Sequence, residues 1–132
     1  MKIDTYEFAG QGMNPVYKNE HWMVGIKNWK PANDISGIDN LERHNKTDEM
    51  FALLDGSCTL VYANELADGT LEFDKTVMEA GKIYCIPAGL WHNTITCRDT
   101  KMALIEAPDT SMENSQVISL SGAQIQRIKE LY

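Results

Sequence analysis

The sequence predicts an all-β domain, an antiparallel barrel or sandwich, ending in a short C-terminal helix. Three observations carry this expectation. From Trp22 to Lys101 the chain runs in short β-branched or aromatic stretches separated by Gly, Pro, Asn and Asp. Two pairs of these stretches are joined at Asp-Gly dipeptides, Asp55-Gly56 and Asp68-Gly69, where glycine tolerates the positive φ of a tight hairpin. Helical spacing appears only at the end, in Ile125, Ile128 and Leu131.

Taken in order, strands are expected near 22–29, 37–44, 49–54, 58–64, 71–77, 82–86, 92–97 and 101–106. In "LLDGSCTLVY" the first Asp-Gly hairpin joins the third and fourth of these, and "NELADGTLEF" turns the fourth into the fifth. Pro87 and Gly89 end one strand and re-aim the chain so that His92 opens the next. After Ser121, which forms a capping-box pattern with Gln124, the apolar stripe of the helix should pack on the barrel or on a partner subunit.

Composition bounds the reading. With 132 residues the chain suits one domain, its barrel core falling at about 22–106, and 43% hydrophobic against 23% charged residues is a globular balance. A net charge of −7 with no basic cluster disfavours nucleic acid and anionic membranes as partners. Neither a signal-peptide core nor a membrane-length apolar run is visible, so the expected location is cytoplasmic. Cys58, Cys85 and Cys97 are odd in number, show no C-x-x-C spacing and read as buried free thiols.

Two segments hold groups with chemistry. In "LERHNKTDEMFALLDG", Glu42 and His44 lie two apart on one strand and share a face, as do Glu49, Phe51 and Leu53 on the next. A barrel interior would gather the polar members near one mouth, where buried carboxylates and imidazoles need each other or a metal. In "GKIYCIPAGLWHNTIT" a glycine turn, an apolar strand and Pro-x-Gly precede His92. Other polar residues read as structural: Tyr84 and Trp91 as packing, Glu106 as a strand-end surface acid, His21 as exposed.

Read together, Glu42-x-His44-x4-Glu49-x6-Gly56 and Gly81-x5-Pro87-x-Gly89-x2-His92-x3-Thr96 resemble the two motifs of the cupin superfamily. The resemblance implies a small double-stranded β-helix, the cupin jelly roll, with His44, Glu49 and His92 binding a divalent metal. Glu42 stands where the first motif usually has a histidine, and is either a further ligand or a catalytic base. Two imidazoles with one or two carboxylates suit Zn, Mn, Fe, Ni or Co. Around the first motif, "KPANDISGIDNLERHNKTDEMF" is similar to the ureidoglycolate lyase family, with Leu41, Glu42, Arg43 and His44 its most specific part and Trp91-His92 a second match.

That likeness implies an enzyme acting on a small hydroxy or keto acid, releasing urea from ureidoglycolate and leaving glyoxylate. Two other readings fit the same metal set: a sugar isomerase or dioxygenase type of cupin, and a non-catalytic module binding a small ligand. A small open barrel leaves strand edges that a second copy covers, so a homodimer is expected.

Overall fold

The computed structural model describes residues 1–132 as ten strands, one 3-10 turn and one helix. The strands are β1 (Met13–Lys18), β2 (Met23–Asn28), β3 (Asn40–His44), β4 (Glu49–Asp55), β5 (Cys58–Glu65), β6 (Leu71–Val77), β7 (Ile83–Ile86), β8 (Trp91–Thr96), β9 (Lys101–Glu106) and β10 (Ser115–Ser119). A 3-10 turn covers Pro31–Asn33, and α1 covers Gly122–Leu131. One sheet has the order β1-β2-β9-β4-β7 and the other β10-β3-β8-β5-β6; every pairing is antiparallel. This is the all-β fold with a short terminal helix that the sequence predicts.

All eight expected strands are present, and the sheets take in two more, one on each side of 22–106. β1 escapes the sequence pattern because Pro15 interrupts it; it is an edge strand whose register shifts between Pro15 and Tyr17, where a missing N–H is tolerated. β10 is a short polar edge strand paired with β3. Only the second Asp-Gly turn closes a hairpin, β5 with β6; contrary to expectation, Asp55-Gly56 carries the chain from β4 of the first sheet to β5 of the second. At both turns the glycine (Gly56 φ 67°, Gly69 φ 84°), not the aspartate, carries the positive φ. At Gly56 a Cβ would come within 2.5 Å of the Asp99 carbonyl oxygen, so both conformation and space demand glycine there.

Two apolar clusters divide the labour. Phe51, Leu53, Leu60, Ile86, Met102 and Leu104 fill the space between the sheets. Leu41, Val61, Trp91, Ile95, Leu120 and Ile128 form a second cluster on the outer side of the other sheet, beneath α1. The helix is capped as its sequence predicts, with Ser121 and Gln124 bonding reciprocally, and Ile128 is fully buried. β8 is therefore buried on both faces: Trp91 and Ile95 pack under the helix while His92 and Thr94 face the barrel interior.

The cysteines depart from expectation. Only Cys58 is buried, its thiol pushed up to about 12 by burial; Cys85 is exposed and Cys97 is half-buried. Alternation explains Cys85, since on β7 the inward positions are Tyr84 and Ile86. No helix is long and apolar enough to cross a membrane.

Candidate metal centre

Strand alternation delivers the two motif segments to one cavity. Glu42 and His44 point inward from β3, Glu49 from the start of β4 and His92 from β8, where His92 is Glu42's partner in register. The four groups lie within ion-pair distance: His92 Nε2 is 3.4 Å from Glu49 Oε1, His44 Nε2 is 3.7 Å from Glu49 Oε2, and His44 Nε2 is 3.9 Å from Glu42 Oε1. Exposure falls with depth, from 38% for the Glu42 side chain to 14% for His44, 7% for Glu49 and 2% for His92.

Each imidazole is oriented through Nδ1. His92 Nδ1 lies 2.9 Å from the Leu90 carbonyl, an acceptor only, so Nδ1 carries the proton and Nε2 presents its lone pair to the cavity. His44 Nδ1 lies 2.8 Å from the Ser115 hydroxyl of β10. His92 Nε2 is buried and makes no hydrogen bond, although Glu49 Oε1 lies 3.4 Å away. A buried ring nitrogen without a partner is costly unless something else satisfies it.

The residues fit a divalent ion. Glu42, His44 and His92 offer ligand atoms within 4.8 Å of one another, and so do His44, Glu49 and Glu106. Ligand atoms held at about 2.0–2.2 Å from one ion sit about 3–4 Å apart, the spacing seen here. Imidazole nitrogens with oriented second nitrogens, beside carboxylates, suit a Zn, Mn, Fe, Ni or Co site.

Glu106 overturns its expected place as a surface acid. It is only 8% exposed, with Oε2 buried and unpartnered. On β9 it continues the inward row Met102, Leu104, Glu106, a period-two signal present in the sequence. Burial, and then the adjacent Glu49 carboxylate, push Glu106 up to about 9. Burial alone would raise Glu49 too, but the nearness of His92, Glu106 and His44 outweighs it and holds that carboxyl at about 2. The pair thus keeps one proton, on Glu106. For His92, burial opposes charge, yet Glu49 and the Leu90 carbonyl outweigh it and raise the pKa.

The remaining candidates stay outside the cavity. Tyr84 packs against the inner cluster, and its hydroxyl accepts a hydrogen bond from the Glu79 amide at 2.8 Å. Trp91 is buried with the Arg43 guanidinium 4.3 Å above its ring, and His21 is largely exposed. Lys27 on β2 and Ser115 on β10 line the cavity with no motif to announce them.

No protein-family model and no curated protein match the sequence. Solved structures do. A cupin-2 domain protein from Shewanella frigidimarina is similar over 76% of this chain and 84% of its own, at 17% identity and a TM-score of 0.55. The fold is that of the cupins. A Streptomyces nucleoside dehydratase, solved with uridine, is similar over 93% of this chain and 97% of its own, at 10% identity and TM-score 0.58. Oxalate decarboxylase from Lactobacillus farciminis, in a formate complex, matches over 89% of this chain but 37% of its own, at 14% identity and TM-score 0.56. At these identities the likeness to these structures speaks to the fold and to nothing finer.

Proposed function

We propose that this cupin is a metal-dependent lyase acting on a small hydroxy or keto acid, most like ureidoglycolate lyase. The observation that carries the metal part is His92 Nε2, buried, unbonded and turned toward Glu49 and His44. His44, Glu49 and His92 would hold the ion, with Glu42 at the mouth. A bound divalent ion would polarise substrate oxygens as a Lewis acid. The cavity, about 230 Å³, is smaller than the about 300–1,000 Å³ of drug-sized sites, which favours a small substrate.

The chain's own groups supply an acid and a base. Glu42, the most exposed of the cluster, takes the carbinol hydroxyl proton as the C=O bond forms and the C–N bond breaks, and returns it to water. Glu106, on the same cavity wall, would supply the proton that the departing nitrogen needs. The products are urea and glyoxylate, and one proton is taken up for each released. A decarboxylase and a dehydratase share the fold, so it accommodates bond cleavage on small polar molecules. Elemental analysis of protein purified without added metal, followed by a urea-release assay, tests the reading. Metal without urea release removes the lyase assignment; no metal removes the metal centre.

A homodimer and a cytoplasmic location belong to the same reading. Three free cysteines suit a reducing compartment. On the outer face of the first sheet Val24, Ile26, Leu54, Ala103 and Ile105 form an apolar strip without a charge among them. Two copies carrying −7 each meet with least repulsion across such a neutral, self-complementary strip.

A further inference from the structure

On β2 the inward row is Met23, Gly25 and Lys27, facing Glu106, Leu104 and Met102 across the register with β9. The first two positions are buried and apolar, which makes a lysine at the third unusual. Its stem can lie along Met102, but its ammonium needs a partner. The chain supplies none: Lys27 takes part in none of the ion pairs within 4.0 Å, although three glutamates line the same cavity. Nor is it among the buried unsatisfied groups, so Nζ opens onto the cavity instead of being sealed in the wall.

Lys27 is also the only lysine or arginine among the cavity residues. The carboxylates of Glu42 and Glu49 make the wall around them repel anions. Burial lowers the Lys27 pKa, and the charges of Glu42 and Glu49 oppose that fall. A lone side-chain cation, paired with none of the acids, marks a part of the wall where an anionic group is attracted.

We propose that Lys27 is the carboxylate anchor of this cavity, binding the acid end of a small hydroxy or keto acid whose reacting end lies among Glu42, His44, Glu49 and His92. This rests on the proposed function and specifies which end of the substrate the barrel holds, and with what. An ammonium-to-carboxylate hydrogen bond is among the stronger kinds, and its loss is read as about tenfold or more in affinity.

The test is calorimetric binding of glycolate and of its uncharged isostere glycolamide to the protein as purified, wild type and Lys27→Met. The expected result is a glycolate Kd raised about tenfold or more in the variant, with the glycolamide Kd and the metal content unchanged. An unchanged glycolate Kd overturns the proposal, as does an equal rise for both ligands, which is the signature of a packing role. Absence of glycolate binding to the wild type overturns it as well. Lys27→Gln is read in the same way should Lys27→Met not fold. Metal content and urea release are measured separately, so failure of the metal or lyase reading leaves the glycolate-to-glycolamide split to judge Lys27 alone.

Discussion

The imidazoles of His44 and His92 meet edge to face, ring centroids 5.6 Å apart and planes 63° apart, yet they are steadied by unlike partners. The Leu90 carbonyl accepts only and fixes the tautomer of His92, whereas the Ser115 hydroxyl donates or accepts and leaves His44 free to present either nitrogen form. The two proposed ligands are thus differently constrained.

That asymmetry ranks two substitutions. His92→Ala removes a fixed ligand and should abolish metal retention, with circular dichroism still showing a β protein. Ser115→Ala removes only an orienting group, and a loss of about 10- to 100-fold in metal affinity is expected. Metal content equal to wild type in His92→Ala refutes the ligand assignment.

Glu42→Gln separates base from ligand. With Glu42 as base, metal stays and urea release falls by about 10²-fold or more, since the amide keeps the size but loses the basicity. With Glu42 as ligand, the same change lowers metal retention. Measuring metal and turnover on one sample decides between them.

The shared proton of Glu49 and Glu106 makes the stability of metal-free protein depend on pH. Glu106 has a folded pKa near 9 against an ordinary 4.5, so between those values the folded chain holds a proton that the unfolded chain has released. Stability therefore falls as pH rises through that window. The raised His92 adds to this slope: its contribution is present below 6.5 and is lost as pH passes the folded value. Glu49 acts oppositely, its contribution being present above 4.5 and lost as pH falls toward 2. Urea melts at several pH values should show Glu106→Gln with a flatter alkaline limb, and an unaltered limb would count against the shared proton.

Leu54→Lys places a charge on the outer strip, where Leu54 is 53% exposed in the monomer. Sedimentation should show a wild-type dimer becoming a monomer, with circular dichroism still showing a β protein. A variant still dimeric would rule this face out.

Much of the barrel was legible because its strands announce themselves by alternation and its turns by Asp-Gly and Pro-x-Gly. The same alternation placed Glu42, His44, Glu49 and His92 on one side. Glu106 was legible in principle, two residues beyond Leu104, but a carboxylate at a strand end resembles ordinary surface polarity until its neighbours are known. Lys27 was not, because Met23 and Gly25 are no more apolar than Val24 and Ile26, and the inward row is settled only by pairing with β9. Ser115 depends on an edge strand whose sequence, "SQVIS", is too short and polar to declare itself.

The β10 strand and α1 form the last stretch of chain, joined to β9 by residues 107–114 along the cavity rim. A single cut in that rim would leave His44 on the long piece and the hydroxyl that steadies it on the short one. Leu120 and Ile128 on the short piece fill the apolar layer outside the second sheet, so the severed tail retains a reason to return to its seat. The barrel is in this sense a two-part assembly written as one chain, and reconstitution from its fragments would reassemble the surroundings of His44 along with the outer layer.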